Sequence, residues 1–117
     1  KRACDLISVY INNGGGIINA KKMAIVAEPA GIGCYVGGAL EGAIATRACL
    51  HFAASTPNVT WGCEMGGQFL LEADLSAEPI PFEDGALVVP HGPGLGGDLD
   101  PEQVARYQID AFAVHPD

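Results

Sequence analysis

Asp5-Leu-Ile-Ser-Val-Tyr-Ile11, closed by Asn12-Asn13-Gly14-Gly15-Gly16 and followed by a periodic stretch up to Gly31, is the run that decides the fold. Its first part is apolar and β-branched over the length of a strand, and the Asn and Gly residues stop it. Ile17, Ala20, Met23, Ala24 and Ala27 then recur at three- and four-residue spacing, with Lys21 and Lys22 off the stripe. That spacing predicts a helix with one buried face, ending around Pro29 and Gly31.

The same unit then repeats. Ile32-Gly-Cys-Tyr-Val36 reads as a second strand, and residues 40–55 as a second helix with Ala43, Ile44, Ala48 and Leu50 as core contacts. Val59-Thr-Trp-Gly-Cys63 reads as a third strand. Strands alternating with helices at near-equal intervals imply parallel pairing with right-handed crossovers. The α/β grammar fits about three-eighths of a (β/α)₈ barrel, or a slice of an open doubly wound sheet. The strands read as continuous apolar runs and are therefore expected to be buried on both faces, although two helices leave one face or edge of such a sheet bare.

After Met65 the pattern changes. Two short strands are predicted in residues 78–90, joined at Asp84-Gly85, a turn pair suited to a hairpin. A Gly/Pro loop from His91 to Gly97 follows, then a helix capped by Asp100, with Pro101 in its first turn and Val104, Tyr107 and Ala111 along one face. The stretch from Val114 to Asp117 is expected to fray.

With 117 residues the chain holds one small domain, and its 49% hydrophobic and 17% charged residues exclude disorder throughout. No apolar run reaches the length of a membrane helix and no signal peptide is read, so a soluble, cytoplasmic protein without a membrane partner is expected. The net charge is −8, and the six basic residues never form a stripe that could neutralise phosphates, so nucleic acid is not an expected partner. Eleven of the 14 acids lie in residues 59–117, as an acidic surface or a metal-attracting region. Cys4, Cys34, Cys49 and Cys63 form no CxxC pair and are expected to be buried free thiols. They share no ligand spacing with the scattered His51, His91 and His115.

Glu64 stands out among the candidate functional residues. It is an acid directly after an apolar strand, and in parallel α/β proteins that end of the strand is where ligands bind. Tyr10, Asn12 and Asn13 end the first strand, while Tyr35, Gly37 and Gly38 end the second, so all are expected on the same rim. Gly14-Gly15-Gly16 could hold an anion at the helix start, but a tight turn suffices to explain it. Gly92, Gly94 and Gly96 follow a hairpin rather than opening a strand–helix–strand unit, which argues against a dinucleotide loop. Glu41 is read as compensating the dipole of the second helix from its first turn. The nucleophile-elbow, P-loop and HExxH motifs are absent.

Four stretches carry a resemblance: residues 30–42 (AGIGCYVGGALEG), 61–65 (WGCEM), 69–71 (FLL), and 82–96 (FEDGALVVPHGPGLG) leading into Asp98-Leu-Asp100. In this order and spacing the chain resembles the C-terminal third of the muconate cycloisomerases (muconate lactonizing enzymes), in the mandelate racemase branch of the enolase superfamily. The resemblance implies a two-domain enzyme with a capping domain and a modified (β/α)₈ barrel. Residues 1–75 would supply the last three barrel strands, and residues 76–117 a hairpin and helix returning to the cap. It also implies proton transfer α to a carboxylate through an enolate, Mg²⁺ or Mn²⁺ held by carboxylates upstream of this chain, a small carboxylate substrate and a homo-oligomer. Glu64 matches the family's eighth-strand glutamate, which helps stabilise the enolate. Tyr10 stands where the cycloisomerases carry a lysine, and Asn13 where a second lysine follows. Tyrosine carries no positive charge at neutral pH, so Tyr10 can hydrogen-bond or act as a weak acid without replacing an ammonium. That departure favours a dehydratase or racemase using one lysine. A non-catalytic interaction module is the alternative of another class. A three-eighths barrel alone is expected to be inactive and poorly folded, so the chain reads as a piece of a larger protein.

Overall fold

Leu6–Val9 (β1), Gly33–Val36 (β2) and Val59–Cys63 (β3) form a parallel sheet in that order, linked by helices Ile17–Ala27 (α1) and Ala43–Ala54 (α2). The computed structural model describes residues 3–109. β1 and β2 pair without interruption, from Leu6 opposite Gly33 to Val9 opposite Val36. Between β2 and β3 the register shifts, Cys34 lying opposite Val59 and Val36 opposite Cys63. Gly62, at φ 83°, takes up this bulge in a conformation that side chains disfavour.

The predicted stripe of α1 is the one that packs. Ala20, Ala24 and Ala27 are buried, and their small side chains bring the helix close to Val9, Cys34 and Val36 on the sheet. Met23 and Lys22 remain exposed, so Met23 is corrected from the core stripe to its border. A 3₁₀ turn at Glu28–Ala30 contains Pro29, and Gly31 ends it in the left-handed region at φ 66°. Asn58 ties this end of the sheet, its Nδ2 donating to the carbonyls of Ala24 and Ile32 at 3.2 and 3.1 Å.

In α2 the buried residues are Ala43, Thr46, Arg47, Cys49, Leu50 and Phe52, the last wholly inaccessible against the sheet. Ala43 and Leu50 meet the core as expected. Ile44 and Ala48 do not: they are half-buried and line an apolar groove with Leu71, Leu75 and Leu95. The expectation of strands buried on both faces is also corrected. Ile7, Val9, Cys34 and Val36 face the helices, whereas Leu6, Ser8 and all but the first residue of β3 are exposed. Among the described residues, helices cover one face of the sheet only.

The chain after β3 folds back over α2. A short helix, Gly67–Leu70 (α3), is followed by the hairpin Phe82–Glu83 (β4) and Ala86–Leu87 (β5), which turns at Asp84 and Gly85 with φ 48° and 83°. Two positive φ values are the signature of the twisted turn expected for this pair. Arg47 is buried and anchors the returning segment, donating to Ser76 Oγ at 2.6 Å and to the Glu78 carbonyl at 2.8 Å. His51 Nε2 lies 3.3 Å from the Leu95 carbonyl one turn later. Ile80 is buried with Ala43 and Leu50, and Gln68 holds its backbone through two hydrogen bonds of 2.9 Å. The final helix, Pro101–Tyr107 (α4), is capped by Asp100, which accepts from the amides of Glu102 and Gln103. Ala111 and the expected fraying from Val114 onward lie outside the described residues.

The N-terminus of α2 is capped from a distance. Its N-cap residue is Gly42, which has no side chain, and Asp74 Oδ2 instead accepts from the Ala43 amide at 2.6 Å. A carboxylate there satisfies an otherwise unpaired N–H and opposes the positive end of the helix. Replacing Asp74 with Ala should cost about 1–2 kcal/mol. Urea denaturation of the two proteins side by side checks this, and an unchanged midpoint would remove the cap.

A candidate functional site at the strand ends

The three strands end at one rim. Gly37 N–H donates to the Val9 carbonyl at 3.1 Å, and Glu64 N–H to the Val36 carbonyl at 2.8 Å, which extends the ladder by one residue past each strand. Tyr10, Gly37 and Glu64 therefore follow one another across the sheet.

Glycine makes this closeness possible. Gly37 is buried beneath the Tyr10 ring and the Ser8 hydroxyl, and a Cβ there would overlap both. Gly38 is buried against the Glu64 carbonyl in the same way. On the neighbouring level of the bare face, Gly33 leaves room for the indole of Trp61. The rim residues singled out from the sequence are thus brought together with one exception. Asn13 is exposed, and none of the contacts described joins it to the others.

Glu64 is exposed toward the uncovered side, and Tyr35 Oη donates to its Oε2 at 3.5 Å. Burial, then the Glu64 carboxylate, raises the Tyr35 pKa above its ordinary value. Tyr35 is therefore a neutral phenol throughout the physiological range, a donor aimed at the acid. Among the described residues no hydrogen bond engages Glu64 Oε1, which leaves it for another partner. Asn12 donates through Nδ2 to Glu41 Oε1 at 3.2 Å.

One expectation changes at this end of the molecule, one is kept, and one residue is added. Glu41 does not sit in the first turn of α2, which begins two residues later at Ala43. Gly15 and Gly16 have φ values of 80° and 98°, and the amides of Gly14 and Gly16 are spent on the carbonyls of Tyr10 and Ile11, so this segment is a turn. Ser8, opposite Tyr35 in the register and in contact distance of a Gly37 Cβ, joins the site unannounced by any motif. The signal for it was the alternation of Ser8 and Tyr10 with Ile7, Val9 and Ile11.

Residues 1–104 match the family described as enolase C-terminal domain-like, and the chain belongs to that family. It is 41% identical over 108 residues to muconate cycloisomerase 1-1 of Acinetobacter lwoffii, covering 92% of this chain and 28% of that protein. It is 40% identical over 106 residues to chloromuconate cycloisomerase CbnB of Cupriavidus necator, covering 91% of this chain and 29% of that protein. Among solved structures, muconate cycloisomerase from Pseudomonas fluorescens superposes with a TM-score of 0.87 at 37% identity, over 92% of this chain and 30% of the other. The chain thus spans under a third of the length of the curated relatives it matches. Its fold is a partial (β/α)₈ barrel of three parallel strands.

The cysteines divide by depth. All four are free thiols, but only Cys34 and Cys49 are buried, which corrects the expectation for the exposed Cys4 and Cys63. Burial, then Glu41 and Cys63 nearby, raises the Cys49 pKa to about 11, and burial raises those of Cys34 and Cys63. The thiolate is the reactive form, so a raised pKa reduces reactivity at pH 8 and moves the reaction to higher pH. Alkylation followed by mass spectrometry should label Cys4 first and Cys63 more slowly. Cys34 and Cys49 should react only at the rate of opening, and prompt labelling of Cys49 at pH 8 would contradict the packing.

Proposed function

We propose that the chain is the C-terminal part of a divalent-metal-dependent enzyme of the muconate cycloisomerase kind. The reaction is addition or removal of a proton α to a carboxylate through an enolate. Glu64 carries the reading: an acid at the ligand-binding end of a parallel strand, hydrogen-bonded by Tyr35, in a chain 41% identical to a muconate cycloisomerase. On this reading residues 1–75 complete the barrel and residues 76–117 return to a capping domain. The outer edges of β1 and β3 support a partner of that kind, since among the described residues each strand pairs only with β2. The enzyme would work in the cytoplasm as a homo-oligomer on a small carboxylate. Among the described residues no helix is long and apolar enough to cross a membrane.

Among those residues no group of three His, Cys, Asp or Glu side chains is placed to hold a metal ion. The reading assigns the metal ligands to strand-end carboxylates elsewhere in the protein. Bound Mg²⁺ or Mn²⁺ would supply positive charge against which a substrate carboxylate can gain electron density. The chain's own share is hydrogen bonding and proton handling. Glu64 would donate to a substrate oxygen through a proton carried on Oε1, Tyr35 donates to Oε2, and the Tyr10 hydroxyl lies on the same rim. Asn12, Tyr35 and the closely packed backbone at Gly37 and Gly38, where glycine lets Tyr10 and Glu64 draw near, shape the substrate's seat.

Tyr10 favours a second reading in the same class. Without an ammonium at that position, a dehydratase or a racemase or epimerase acting with one lysine fits as well as lactone formation. The complete protein, assayed with muconate and with a panel of 2-hydroxy and amino acids in Mg²⁺ or Mn²⁺, separates the two. Metal-dependent turnover of muconate is the expected result, and turnover of the panel alone selects the second reading. Turnover of neither, with a melting temperature indifferent to metal, leaves a non-catalytic scaffold. Glu64→Gln should lower kcat/KM about 100-fold or more. If Tyr10 limits muconate chemistry, Tyr10→Lys should raise the muconate rate while Tyr10→Phe lowers it. A higher rate for Tyr10→Phe would exclude the hydroxyl from proton transfer.

A further inference from the structure

The Glu41 carboxylate lies between the loops that follow β1 and β2. Its Oε1 accepts from Asn12 Nδ2 at 3.2 Å, and its Oε2 accepts from the Ala39 amide at 2.5 Å. Its backbone is equally engaged. The Glu41 carbonyl accepts from Thr46 Oγ1 at 3.3 Å, and Gly67, which opens α3 after β3, is buried so close against it that a Cβ would overlap that carbonyl. One residue therefore touches the segments that leave all three strands. Helix capping does not explain this, because the first amide of α2 is already taken by Asp74.

We propose that Glu41 is a positioning residue that sets the spacing and orientation of the groups on the rim. The inference rests on the reading of that rim as the substrate site. A carboxylate only accepts hydrogen bonds, so the Asn12 amide can face it only through nitrogen, and its oxygen is turned away from Glu41. Glu41 thus decides which end of Asn12 the site receives. Because the Gly38 backbone rests on Glu64 and Ala39 is tied to Glu41, the same carboxylate fixes the loop on which Glu64 leans. Both bonds involve an ionised acceptor, the stronger kind of hydrogen bond.

Glutamine at this position keeps the shape and changes the chemistry. If its oxygen stays on the Ala39 amide, its NH₂ group opposes the Asn12 NH₂, donor against donor. Adding Asn12→Asp restores a matched pair with the donor and acceptor exchanged. In the complete protein, Glu41→Gln should speed hydrogen exchange about tenfold in the peptides spanning residues 12–16 and 37–42, and lower kcat/KM about tenfold on whichever carboxylate the parent turns over. The Glu41→Gln/Asn12→Asp protein should return exchange to the parent rate, which a general loss of stability would not do. Should Glu41→Gln fail to fold, Asn12→Ala tests the pair from its other side and should loosen residues 12–16 alone.

Exchange and kcat/KM of Glu41→Gln both within about twofold of the parent would overturn the proposal, as would a double variant that exchanges as fast as the single one. A parent that turns over no carboxylate would remove the functional reading. The exchange measurements would then still decide whether Glu41 registers the loops.

Discussion

The close contact of α1 and α2 with one face of a parallel sheet is the constraint on which the rest depends. Ala20, Ala24 and Ala27 bring α1 onto Val9, Cys34 and Val36, and Phe52 fills the space beneath α2. Burying these apolar groups fixes the strand order, and the strand order lines up the three strand ends. Once those ends are level, Tyr10, Gly37 and Glu64 become neighbours without any direct bond among their side chains. The Tyr35–Glu64 hydrogen bond is a consequence of this packing.

The sheet is unequal in its two faces, and that asymmetry connects stability to function. The helix-covered face is apolar and close-packed, while the other displays Ser8, Trp61 and the rim acid to open space. In a closed barrel such a face would look inward, where the remaining strands would shield it. The glycines serve that side. Gly33, Gly37 and Gly38 remove the one atom that would keep Trp61, Tyr10 and the Glu64 backbone at a distance. Each is a local loss of packing on its own account and a gain of room for a larger neighbour.

The returning segment uses α2 as a post. Asp74 caps it, Arg47 grips Ser76 and Glu78, and His51 reaches the loop at Leu95, so polar contacts recur along successive turns of one helix. Arg47 is the costly member. It is buried and its Nε has no hydrogen-bond partner, which is tolerable because its other donors meet a hydroxyl and a carbonyl. These links hold the acidic returning segment against α2.

Local chemistry was enough to read the alternation of strands and helices, the Asp84-Gly85 turn, the Asp100 cap and the placing of Glu64 at a strand end. Each is specified within a few residues: by side-chain period, by the φ values a turn demands, or by a short polar side chain beside free amides. The family resemblance likewise lay in contiguous motifs. What sequence could not supply were relations across long separations. Asp74 caps a helix 31 residues away, Glu41 bridges to Asn12 across 29, and Arg47 reaches residues 29 and 31 positions on. Nothing in the neighbourhood of Glu41 distinguishes a helix-dipole acid from a brace between loops. Likewise, Ile44 and Leu50 share a hydrophobic character, and only the position of the returning segment decides that one lines a groove and the other enters the core. Period and turn chemistry are local properties of the chain, whereas partners and burial are set by what the completed packing brings alongside.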